Sequence, residues 1–158
     1  MANHKLTILR HPAYKKIQTY LDHKEVDSPT RRIAYADGVV AISGRAGVRL
    51  AAEQYGLDLG SEGIVERFLG IMRAYGVSKQ EVWDLDACAE AHLWMTLTGL
   101  HSRYVEERQA PRHRHRHPRH LDAWAFEIDG KNRPKEDSPC RNCRQWVRKE
   151  FQTVNGTD

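Results

Sequence analysis

The stretch RRIAYADGVVAISGR, residues 31–45, constrains the fold more than any other part of this chain. Asp37-Gly38 lies between two alternating runs rich in β-branched residues, and Asp-Gly in that setting is the strongest short signal for a two-residue hairpin. An antiparallel pair of strands is expected here, with helices to cover it.

The flanking segments supply those helices. PAYKKIQTYLDH, residues 12–23, opens with a proline suited to the first helical position and sets Tyr14, Ile17, Tyr20 and Leu21 on one face. Residues 47–77 read as helical, with a break at Gly60-Ser61 and with Ile64, Phe68, Ile71 and Met72 at helical spacing. Ser78-Lys79-Gln80-Glu81 has the pattern of a capping box, which predicts a short further helix or turn. A helix with a buried first half is expected from Ala87 to about Arg108, followed by a basic loop. LDAWAFEID then reads as a strand, GKNRPKEDS as a polar loop, residues 140–151 as a helix and FQTVN as a short last strand. This order predicts one domain over residues 1–158, an α/β fold in three α/β/α layers around a single sheet. It carries an N-terminal β-hairpin, a helical insertion at about 47–84 and a basic loop at about 111–120.

At 158 residues, a chain of this composition is long enough to bury a core without disulfides. No apolar run approaches the roughly 20 residues needed to cross a bilayer, and the N-terminus MANHKLTILRHPAYKK lacks the apolar segment of a secretory signal. The net charge of +4 is unevenly placed: residues 1–100 carry 12 Lys+Arg against 12 Asp+Glu, and residues 101–158 carry 13 against 9. The basic half also holds the run PRHRHRHPRH at 111–120.

The three cysteines are Cys88, Cys140 and Cys143. They cannot all pair in disulfides, and C-x-x-C in a chain without a secretory signal reads first as metal or redox chemistry. Pro139-Cys140-x-x-Cys143 places two thiols at a predicted helix start, where free backbone N–H groups and the helix dipole favour thiolates. Cys88 also lies at a predicted helix N-terminus, within Cys88-Ala89-Glu90. Three such ligands suit a catalytic zinc ion with one position open, whereas a redox pair or a structural site is the plainer alternative. C-x-E followed by P-C-x-x-C is the three-cysteine form of the zinc-deaminase signature. A carboxylate beside such a metal can receive and return protons; an isolated glutamate there would merely stabilise the helix dipole.

Over residues 31–155 the chain resembles the cytidine deaminase-like superfamily, with CAE at 88–90 and SPCRNCRQW at 138–146 as the specific parts. The resemblance implies zinc (Zn2+) held by Cys88, Cys140 and Cys143. It also implies that Glu90 takes a proton from the metal-activated water and delivers protons to the ring nitrogen and the departing ammonia. Ser43 and Arg45 follow the second strand, where this fold lines its pocket; Ala89 and Ser138 are placed at the substrate by their motifs.

The C-R-Q run is similar to enzymes acting on free cytidine. The segment around SGRAGVRLAAEQYG, however, lacks the Asn and Glu that such enzymes use for the ribose. The helical insertion and the basic loop resemble bacterial toxin-type deaminases, a group that includes DNA cytosine deaminases. That resemblance implies action on DNA in preference to RNA, an immunity protein as partner, no membrane association and a cytoplasmic site of action for the C-terminal domain of a larger secreted toxin. Arg112, Arg114, Arg116 and Arg119 would then contact a nucleic acid backbone; a solvated loop without a role is the alternative. Trp83, Trp94 and Trp146 could stack on a base, with Trp94 and Trp146 expected in the core, and His92 is expected to be a buried, hydrogen-bonded residue behind the site. Two other functional classes stay open from sequence: a free-nucleoside deaminase and a non-catalytic zinc module that binds nucleic acid through residues 112–120.

Overall fold

In the computed structural model, which describes residues 4–22, 31–60, 63–107, 117–129, 131 and 133–157, the Asp-Gly hairpin forms one end of the sheet. Strand β1 (Arg32–Ala36) pairs antiparallel with β2 (Val39–Ile42), Ala36 facing Val39 and Ile33 facing Ile42. Asp37 and Gly38 have φ of 49° and 80°, the two positive values of a turn whose twist matches the flanking strands. On its other side β1 pairs antiparallel with β3 (Asp122–Ile128).

The far edge of β3 is shared by two short strands. Strand β4 (Pro134–Glu136) runs antiparallel to residues 126–128, and β5 (Thr153–Val154) runs parallel to residues 122–123. The sheet order is β2-β1-β3-β4, with β5 beside β3. Strand β4 falls inside the stretch expected to be a polar loop. It carries no apolar alternation and begins at a proline, which an edge strand tolerates at its first position.

The two faces of the sheet bury different side chains. Ile33, Val40, Ile42, Phe126 and Ile128 pack with Ile8 of helix α1 (His4–Arg10), with Tyr14, Ile17, Tyr20 and Leu21 of α2 (Ala13–Asp22), and with Leu50 of α3 (Gly44–Tyr55). On the opposite face Ala34, Ala36, Val39, Ala41 and Ala123 pack in one cluster with α4 (Ile64–Ala74) and α5 (Ala89–Glu107). Helices therefore cover both faces of a mixed sheet, giving three layers. The small residues on the second face let α5 come close, and every residue from Cys88 to Leu100 is buried. A helix apolar around most of its girth belongs in a core, so the polar side chains it buries, Glu90, His92, Thr96 and Thr98, stand out.

Trp94 and Trp146 are 1% and 0% exposed and flank Phe68, with ring centroids 5.6 and 5.1 Å from it. Both are core residues. Buried Glu150 accepts from Trp94 Nε1 at 2.9 Å and from the Tyr75 hydroxyl.

Three expectations change in detail. The helical stretch begins at Gly44 and ends at Ala74. No helix forms over Ser78–Glu81, because side chains of another helix take the amides a cap would have used: Gln145 Oε1 accepts from the Ser78 N–H at 3.1 Å, and Asn142 Oδ1 from those of Gln80 and Glu81 at 2.6 and 3.1 Å. The helix expected over 140–151 is two short ones, α6 (Arg141–Arg144) and α7 (Val147–Glu150), separated where the Trp146 indole turns into the core. Helix α1, with Ile8 its buried residue, has no apolar stripe and was not legible. Among the described residues, no helix is long and apolar enough to cross a membrane.

Candidate metal centre

Cys88 follows a 3-10 turn (Leu85–Ala87) and immediately precedes α5; Cys140 is the N-cap of α6 and Cys143 lies within it. Residues about fifty positions apart thus meet, their sulfur atoms within 4.8 Å of one another. The Cys88 and Cys140 sulfurs are 3.1 Å apart. All three thiols are free and buried. Three soft donors at this distance could hold a metal ion such as zinc, with a fourth position left for another ligand.

The thiols are not equivalent. Hydrogen bonds from Cys143 and then Cys88 pull Cys140 down to about 2, and the amides of Cys143 and Asn142 add to this. Cys88 is raised chiefly by its hydrogen bond to Cys140, and Cys143 chiefly by burial. To hold a metal, the thiols would give up the protons they keep in its absence.

Glu90 lies on the first turn of α5, 1% exposed, and neither carboxylate oxygen has a hydrogen-bond partner. Burial, and then the charge on Cys140, push it up to about 7, opposed first by its own backbone amide and then by Arg32 and the Cys143 thiol, none of which meets either oxygen with hydrogen-bonding geometry. Hydrogen bonding normally satisfies a buried polar group, and an unpaired buried carboxylate is costly. Two orphaned oxygens beside three metal-competent sulfurs fit a site made for an ion and a polar ligand.

A small pocket opens beside the sulfurs, lined by Arg32, Ser43, Trp83, Cys88, Ala89 and Cys140. Ser43 and Ala89 are among these lining residues. Arg45 is exposed on the first turn of α3 and does not line this pocket. Ser138 does not line it either; its carbonyl accepts from Arg32 Nη1 at 2.7 Å and its hydroxyl from Arg144 Nη2 at 2.5 Å.

Sequence reading missed Arg32. It sits on β1 and reaches Asp137 Oδ2 at 2.9 Å across the sheet, a pairing that depends on the β1–β3 register and leaves no local signal. The same loop is held by Asn155 Nδ2 on the Asp137 carbonyl at 3.1 Å and by Arg144 Nε on the Pro139 carbonyl at 2.8 Å. These contacts fix the backbone that delivers Cys140.

On the other side, Trp83 Nε1 donates to Cys88 Sγ at 3.1 Å. His92 is 3% exposed, with Nδ1 2.7 Å from the Ile42 carbonyl oxygen; burial lowers its pKa, and it lies behind the site as a structural residue. Arg112, Arg114 and Arg116 lie outside the described residues, and Arg119 is exposed in a 3-10 turn (Pro118–His120). No protein-family model, curated protein or solved structure matches this chain.

Proposed function

We propose that this chain is a zinc-dependent hydrolytic deaminase that converts cytosine to uracil in DNA, the deaminase domain of a bacterial toxin. One observation carries the reading: a fully buried carboxylate with both oxygens unpartnered, two residues along the chain from one member of a buried three-thiol cluster. A purely structural metal site has no need of such a group, and a redox pair does not need the third thiol.

Cys88, Cys140 and Cys143 would hold zinc, which would supply Lewis-acid activation of a water molecule. Glu90, pushed up to about 7, gives and takes protons readily near neutral pH. It receives one proton of the attacking water as the oxygen bonds to the amine-bearing ring carbon and passes it to the ring nitrogen, then takes the second proton from that oxygen and gives it to the departing amine. The carbon–nitrogen bond breaks and ammonia leaves, so cytosine and water become uracil and ammonia. Ser43 and Ala89 wall the pocket, and among the described residues Arg32 is its cationic lining group.

The choice of polynucleotide rests on the basic excess of residues 101–158 and the run that contains Arg112, Arg114, Arg116 and Arg119. A base inside a duplex hides its reacting carbon, so single strands or flipped bases are the substrates. DNA over RNA, an immunity protein as partner and action in a target cell's cytoplasm follow from the toxin-type resemblance.

Incubation of the zinc-loaded protein with single-stranded DNA, duplex DNA, RNA and free cytidine, with uracil detected by mass, tests the reading. Conversion of DNA is expected, falling steeply as salt rises. Conversion of cytidine alone would replace the substrate assignment, and no conversion of any of the four would remove the enzyme reading.

A further inference from the structure

We propose that Trp83 is the specificity-determining residue of the metal pocket, an aromatic wall held in place by α6 that selects a planar heteroaromatic ring. The deaminase reading tells which ring enters; the wall itself is argued from its surroundings.

Residues 77–84 form neither helix nor strand, yet the segment is tied down along its length. Gln145 pairs with the Ser78 backbone twice, Oε1 accepting from N–H at 3.1 Å and Nε2 donating to the carbonyl at 2.7 Å. Asn142, 0% exposed, accepts from the Gln80 and Glu81 amides at 2.6 and 3.1 Å and donates to the Trp83 carbonyl at 3.1 Å. Arg141 Nε reaches Glu81 Oε1 at 2.7 Å. These three residues surround Cys143 in the sequence, so the helix that carries one metal ligand also clamps the segment that forms the pocket wall.

The clamp ends at Trp83, which is fixed at both ends: its carbonyl by Asn142 and its Nε1 by the Cys88 sulfur at 3.1 Å. A side chain so held has little freedom left to lose when a ligand arrives, which raises affinity without new contacts. An aromatic face gains most from a flat ring laid against it, and a base stacked on an aromatic residue contributes about tenfold or more in affinity. The indole N–H on a ligand sulfur also ties the wall to the metal: it withdraws charge from Cys88, as partners beyond the ligands tune many metal sites.

Binding without turnover isolates this wall from the chemistry. Zinc-loaded Glu90→Gln protein is expected to bind a single-stranded oligodeoxycytidylate about tenfold tighter than an abasic strand of equal length, and Trp83→Leu should erase that preference. Gln145→Ala, which frees Ser78 and removes the longer 3.3 Å contacts to the Arg141 and Asn142 carbonyls, should reduce it about threefold and speed hydrogen exchange at residues 78–83. In the cobalt-substituted protein, Trp83→Phe should move the thiolate-to-metal charge-transfer band to lower energy, because the sulfur loses its donor.

Equal binding of the two strands by the unsubstituted pocket, or an unchanged preference in both Trp83→Leu and Gln145→Ala, would overturn the proposal. An unmoved cobalt band would overturn the coupling to Cys88. Ring selection without uracil formation in the zinc-loaded native sequence would defeat the deaminase reading alone; uracil formation with the preference intact in these variants would defeat this inference alone.

Discussion

Gly47 stands so close to His92 that a Cβ at position 47 would lie 2.1 Å from His92 Nδ1 and 2.0 Å from the Ile42 carbonyl oxygen. That carbonyl is the one the imidazole engages at 2.7 Å. The absence of a side chain at 47 is what lets α3, β2 and α5 meet at one point, on the same helix as Glu90. Gly47→Ala should therefore force backbone apart, at a cost of about 3 kcal/mol from overpacking. In a domain of this size that lowers Tm by roughly 6–12 °C. Calorimetry reads it directly, and a Tm unchanged by the substitution would refute the packing argument.

The thiol cluster makes a prediction about metal content. Protein purified without chelator should hold one zinc per chain by mass spectrometry of the element, and Cys143→Ser should hold none. Because ligands that bind only the folded state stabilise it by mass action, a strong chelator should lower the Tm of the native sequence. The same chelator should leave the Tm of Cys143→Ser where it was. Equal zinc in both proteins would separate Cys143 from the site.

Tyr55 supplies a pH test far from the metal. Its hydroxyl accepts from the Val40 N–H at 2.9 Å, closing a donor on the outer edge of β2, and burial pushes it up to about 12 from an ordinary 10. Between these values the unfolded chain has lost the proton and the folded chain keeps it. Stability from this group is therefore complete below pH 10 and is lost as pH rises toward 12, about 3 kcal/mol in all. Denaturant unfolding at about pH 9, 10 and 11 should show the decline, and Tyr55→Phe should lessen it, with Tyr75 and Tyr14, also raised, contributing the remainder. A slope that Tyr55→Phe leaves unchanged would assign the loss to other groups.

What the sequence disclosed and what it hid follow from how local each feature is. Asp37-Gly38 needs two positive φ values and nothing else, so the hairpin was readable from its own residues. The buried course of α5 was likewise written in a mostly apolar composition from Cys88 to Leu100. Cys88, Cys140 and Cys143 could be grouped because no other cysteines compete for the role. Arg32 could not be found, since its place at the pocket depends on Asp137 and the Ser138 carbonyl, more than a hundred residues away. Ser78 and Glu81 misled for the same reason: the capping pattern is local, but Asn142 and Gln145 answered those amides from another helix. Ser43 and Arg45 both follow the second strand, yet one lines the pocket while the other, two residues on, is exposed on the first turn of α3.

Proton transfer by Glu90 beside the metal is decided by single-turnover conversion of cytosine in a single-stranded oligonucleotide by the native sequence and by Glu90→Gln, with zinc content determined on both samples. Full zinc occupancy in both, with conversion slowed about 10²–10⁴-fold in Glu90→Gln, is the expected result. Equal rates at equal zinc would contradict it and leave the buried carboxylate without a catalytic role.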